Sequence, residues 1–130
     1  MARSIRPYQR LKVYQKSCDL GDVLHQICEK LPPEFSDLRE IIRKHDLTIM
    51  LSIVRGAGRP PRKEALRHFR MATRSAEFCE SVLIGLRQSG ITSVEIEKAF
   101  GWAGEVKAET SRIAALIQSG ARAPDVFRDA

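Results

Sequence analysis

At about 100° per residue of an α-helix, Lys63, Arg67, Arg70 and Arg74 fall within one narrow arc. Four cations on one face, three of them guanidinium, suit phosphate, because each arginine offers a planar fork of donors that matches two phosphate oxygens. Arg55, Arg59 and Arg62 add charge just before them. The stretch from Arg55 to Arg74 thus holds seven cations against the single acid Glu64, a surplus equal to the net charge of the whole chain, +6. A solvated helix face normally mixes signs to relieve self-repulsion, but here Glu64 and Glu77 are the nearest acids and neither supplies the i+4 partner. The competing reading is an ordinary exposed face, where lysine and arginine usually reside. No aromatic residue interleaves with the stripe, so base stacking is not indicated. Binding to RNA or DNA through it would be directed to the backbone and tolerant of sequence.

Other chemistry finds less support. Cys18, Asp22 and His25 share one side of a helix, but a structural zinc site needs a closed set of four ligands and no matching pair occurs elsewhere. No metal is expected. His45 lies in an apolar stripe and reads as a core histidine, and His68 with Glu64 as a surface pair. Gly56-Ala57-Gly58 has neither the strand and third glycine of a dinucleotide loop nor the Gly-Lys-Ser/Thr of a phosphate loop, and reads as a helix break. Ser52, Ser75 and Ser81 lack evident base and acid partners. Glu77 with Glu80, and Glu95 with Glu97, sit where solvated faces put carboxylates, and the Glu-x-x-His of di-metal bundles is missing. The expectation is a protein without catalytic residues or cofactors, not an enzyme.

The three cysteines, Cys18, Cys28 and Cys79, are odd in number and set among apolar residues, which suits reduced thiols. No apolar run approaches the roughly 20 residues of a membrane span, and Arg3, Arg6 and Arg10 precede the first helix without the apolar stretch of a leader, so a cytoplasmic protein is expected.

These residues must be positioned by helices, since apolar positions recur at three- and four-residue steps and no period of two is sustained. At 130 residues, 43% hydrophobic and 29% charged, the chain fits one globular domain, 1–130, and excludes a disordered one. The first helix is expected over 11–31, with Tyr14, Cys18, Gly21, Leu24, Cys28 and Leu31 inward, ended by Pro32 and Pro33. The second spans 36–55, with Ser36 as N-cap, facing Leu38, Ile41, Ile42, His45, Ile49, Ser52 and Ile53 inward until Gly56 and Gly58 break it. The third, 61–89, carries the seam Ala65, Phe69, Ala72, Ala76, Cys79, Leu83 and Leu86 and ends at Gly90 in a left-handed cap. The fourth, 93–118, opens with a capping box of Thr92 and Glu95 and runs through Ala99, Ala103, Val106, Thr110, Ile113 and Ile117 to Gly120. A basic N-terminal arm and a frayed tail beyond Arg122 flank them. Short linkers make neighbours antiparallel, so the expected fold is all-α, an antiparallel up-and-down four-helix bundle. Leu47, Met50, Leu51 and Val54 add apolar groups on the outer faces of the second helix and point to a subunit interface.

Several segments resemble the four-helix-bundle family that includes the intervening-sequence proteins of bacterial ribosomal RNA genes and, more distantly, the accessory variability proteins of diversity-generating retroelements. Tyr8, Leu11, Val13, Tyr14 and Gln15 look like its opening Leu-x-Val-Tyr/Trp-Gln, and Leu31-Pro32 like its Phe-Pro. Ser52 through Arg59 resembles Asn-Ile-Ala-Glu-Gly-x-Gly-Arg, and Lys63-Glu64 through Phe69, Ala72 and Ser75 follows its third helix. Arg55 stands in place of Glu, Arg74 in place of Gly and Phe78 often in place of Glu; two of these changes add positive charge. The resemblance implies a ring-forming bundle, commonly a homopentamer, with no enzymatic activity and, in the retroelement branch, partners in nucleic acid and a reverse transcriptase. The leading reading is a homo-oligomeric bundle whose basic surface binds nucleic acid or an acidic protein; two further functions stay open, a structural or adaptor oligomer whose arginines form salt bridges between subunits and a bundle enzyme with an unrecognised site.

Overall fold

The computed structural model describes residues 7–127. Four long helices, α1 (Lys12–Lys30), α2 (Ser36–Ala57), α3 (Arg62–Gln88) and α4 (Val94–Gln118), form a four-helix bundle, followed by the single turn α5 (Ala123–Val126). Each of α1 and α3 packs against both α2 and α4. Arg3 and Arg6 of the expected basic arm lie outside the described residues; Pro7–Arg10 forms a 3-10 turn whose Tyr8 meets Tyr14 edge to face.

The α3 seam is buried at all seven expected positions, and so are the six named on α4. The repeated alanines, Ala72 and Ala76 on α3 with Ala99 and Ala103 on α4, have no side-chain bulk or rotamer freedom to lose, so two long helices can pack closely at little entropic cost. On α1, Leu24 and Cys28 are buried as expected, as is Leu31 just after the helix, but the row that joins them is Val13, Ser17, Leu20, Val23 and Ile27. Tyr14, Cys18 and Gly21 occupy the half-buried flank. The bulkier aliphatic row wins the core, because burial scales with apolar area. On α2, Ile42, Ile49, Ser52 and Ile53 face inward as expected, but Leu38 and His45 are half-buried and Ile41 is exposed.

The helix ends differ from expectation in instructive ways. Ser36 is already helical, following the 3-10 turn Pro33–Phe35, and makes no cap. Ser93, not Thr92, caps α4 by accepting from the Ile96 amide at 3.2 Å, which places Glu95 in the first turn, where it pairs with Lys30 at 2.6 Å. Gly56 does not break α2. It lies inside the helix because the Phe69 ring sits against it: a Cβ there would come within 2.6 Å of the ring. Gly58 follows as the C-cap, and the left-handed residue of the turn is Arg59 (φ 61°). Gly90 (φ 88°) takes the expected left-handed conformation after α3, as does Gly120 (φ 90°) after α4. The tail is not frayed through Phe127: Val126 is buried, and the Phe127 ring lies 6.0 Å from that of Phe69.

Two arginines close helix C-termini, whose last carbonyls have no partner within the helix. Arg39, near the start of α2, donates to the carbonyls of Cys28 (2.9 Å) and Leu31 (3.0 Å) at the end of α1. Arg62, the first residue of α3, donates through Nε (2.8 Å) and Nη2 (2.6 Å) to the Ile117 carbonyl of α4.

Candidate nucleic-acid interface

The first half of α3 presents the basic stripe, with its apolar seam turned into the core behind it. Lys63, Arg67, Arg70 and Arg74 are all exposed, as are Arg55 in the last turn of α2 and Arg59 in the connection. Among the described residues none of these six pairs with a carboxylate. Glu80 is taken by Lys107 (2.8 Å), Glu105 by Lys16 (3.6 Å), Glu109 by Arg112 (3.3 Å) and Glu97 by Arg87 (3.4 Å). Arg62 departs from the expected set. Nε and Nη2 of its guanidinium bond to the Ile117 carbonyl, so it ties α3 to α4, and only its remaining N–H groups are open to a ligand.

Beside the stripe, a shallow groove of about 290 Å3 runs between α3 and α4, lined by Arg70, Arg74, Thr73, Ser111 and Gln118 with Ala114 and Ala115. Arg70 donates to the Gln118 side chain at 3.0 Å, and the Thr73 and Thr110 hydroxyls meet at 2.8 Å beneath. The contribution of α4 was not legible from the stripe alone; the signal available was that Ser111 and Gln118 stand seven residues apart on one face of a helix already expected to flank α3. Positive charge on the α2 side is felt by His68, whose pKa is pushed below the ordinary 6.5 by burial and then by Arg67 and Arg55. Its expected pairing with Glu64 is not formed as an ion pair.

The four apolar residues of α2 divide. Leu47 and Leu51 are 57% and 40% exposed, while Met50 and Val54 are half-buried. His45 is not a core histidine: its ring stacks on exposed Phe78 at 4.0 Å, and its Nδ1 lies 3.4 Å from the Ser75 hydroxyl. Ser75 therefore has an imidazole neighbour that the sequence did not reveal. The serine is buried, however, and neither residue lines the groove, so the pair has no room for a substrate there. No three of His, Cys, Asp and Glu converge as metal ligands among the described residues. Cys28 and Cys79 are buried and Cys18 half-buried, all as free thiols, and burial pushes the Cys79 thiol up to about 12. No helix among the described residues is long and apolar enough to cross a membrane.

Sequence reasoning also missed Asp46. Its carboxylate is wedged against Gly21 of α1, where a Cβ would come within 3.0 Å of Oδ1, and Oδ1 is buried with no hydrogen-bond partner among the described residues. Burial, and then the charge of Asp22, raises its pKa from 3.8 to about 6.

No family model, curated protein or solved structure matches this chain. The functional reading therefore rests on the charge and geometry of the bundle itself.

Proposed function

We propose that the chain is a non-catalytic, homo-oligomeric cytoplasmic bundle whose basic face binds nucleic acid through its phosphates. The observation that carries this reading is the row Lys63, Arg67, Arg70 and Arg74, exposed on a rigid helix and unpaired with any acid among the described residues, continued by Arg55 and Arg59 across the turn. Like charges at this spacing repel one another, and an anionic polymer relieves that repulsion while releasing its own counterions. Exposed Leu47 and Leu51, with Met50 and Val54 beneath them, support self-association through α2, and the resemblance to ring-forming bundles favours a pentamer. Symmetry would then repeat the stripe and convert a weak site into an avid one.

Replacing Arg67, Arg70 and Arg74 together by Gln tests the reading. Each phosphate contact contributes roughly 0.7–0.9 to the slope of log affinity against log salt, so the triple variant is expected to flatten that slope by about 2–3. Thermal stability should stay within a fraction of a kcal/mol, as befits exposed charges. The alternative, a structural or adaptor oligomer with arginines salt-bridged between subunits, makes the opposite prediction for the same variant. Dissociation of the oligomer by the triple substitution, with no nucleic-acid binding to lose, would establish it.

A further inference from the structure

Away from the basic stripe, α1 and α2 enclose a cavity of about 240 Å3 lined by Leu24, His25, Cys28, Ile42, Arg43, Asp46 and Leu47. Its walls are mostly apolar, and Asp46 is the one carboxylate among its lining residues. A carboxylate taken out of water without a partner is costly, and proteins normally supply a cation or several donors. Here neither is supplied. Oδ1 accepts from no described residue, and the absence of a side chain on Gly21 lets the carboxylate settle against the α1 backbone instead of being pushed out to solvent. The nearby charge of Asp22 adds to the negative potential. The two cationic candidates at the cavity do not answer it: His25 bonds to Glu29 at 2.8 Å, and Arg43 makes no ion pair with Asp46.

We infer that this cavity receives a basic side chain, an ammonium or guanidinium group on an aliphatic stem, from a partner polypeptide. Charge complementarity selects the head group: Oδ1 is sealed against α1, so the cation meets the carboxylate through Oδ2, where a partly dry site gives a short, charge-assisted hydrogen bond. Leu24, Ile42 and Leu47 select the stem, since lysine and arginine bury their methylenes along apolar surface while placing the charge at the end. The site is independent of the phosphate-binding face, and either can fail without the other.

Protons compete for the same carboxylate, so binding should weaken as pH falls through the titration of Asp46. The groups facing it are Asp22, His25 and the Cys28 thiol from α1, Arg43 from α2, and the Cys79 thiol from α3; burial raises both thiols, which stay neutral over that range. The test titrates n-butylguanidinium chloride into the full chain and follows the methyl NMR signals of Leu24, Ile42 and Leu47. At neutral pH the expected result is saturable binding that weakens about tenfold or more in Asp46→Asn, weakens likewise near about pH 5, and tightens in Arg43→Gln, which removes a like charge from the rim. Circular dichroism of the Asp46→Asn protein verifies that it is folded, as an isosteric change predicts. Absence of saturable binding, equal affinity in Asp46→Asn, or equal binding of uncharged n-butanol would each overturn the assignment.

Discussion

Replacing Asp46 by asparagine is expected to make the bundle more stable at neutral pH, although it removes a native charge. The carboxylate titrates at about 6 in the folded protein against 3.8 ordinarily. Every tenfold gain in proton affinity on folding corresponds to about 1.4 kcal/mol of preference for the neutral form, which sets a ceiling of about 3 kcal/mol. Asp46 is only half-buried, so water screens part of this, and about 1–2 kcal/mol is the expected gain. The sign follows from linkage. The folded state binds the proton more tightly than the unfolded chain, so the penalty is absent below 3.8, grows between 3.8 and about 6, and is complete above that. The wild type should therefore lose stability across this window relative to the variant, and the two should converge at its acid end. Urea denaturation of both proteins at a series of pH values measures the difference directly. A variant less stable than the wild type above about pH 7, or a difference that does not change with pH, would show that the carboxylate is better solvated than its place against Gly21 implies.

Three further outcomes follow from the geometry. Arg62→Gln should cost about 1–3 kcal/mol by stranding the Ile117 carbonyl, seen in thermal unfolding, while leaving nucleic-acid affinity nearly unchanged; a large loss of affinity at wild-type stability would return Arg62 to the binding face. Gly56→Ala should destabilise by about 1–3 kcal/mol, because its Cβ would press to 2.6 Å on the fully buried Phe69 ring, and the roughly 1 kcal/mol of helix propensity gained by alanine does not offset that. Leu47→Asp with Leu51→Asp should dissociate the assembly, read by light scattering, without loss of helicity by circular dichroism; an unchanged mass would remove α2 from the interface.

The helices and the inward faces of α3 and α4 were legible because their apolar period is unbroken and their small residues leave one consistent register. The face of α1 was not, because two apolar rows lie side by side, and only the size of Val13, Leu20 and Ile27 against Cys18 and Gly21 decides which is buried. Gly56 misled for a related reason: a glycine that admits an aromatic ring and a glycine that ends a helix look alike until the ring is placed. The exposed stripe was readable from charge alone. Removing Arg62 from it required knowing that a helix end some 55 residues later arrives beside it. Asp46 carried no signal, since a single carboxylate in a helix is ordinary and only the neighbouring glycine on another helix makes it unusual.

The contact of Phe127 with Phe69 orders the molecule in time as well as in space. The seat of α5 is made from the connection at Arg59 and Pro60, from the first residue of α3 and from the end of α4, so it does not exist until those pieces are assembled. A segment that depends on the finished bundle, yet holds it through few residues, is the unit that opens first when the protein fluctuates. Its departure would bare the flank of Phe69 while the rest of the core stays closed. If so, amide exchange around Arg59 is expected to precede that around Arg67, Arg70 and Arg74, so the two parts of the basic face would differ in protection.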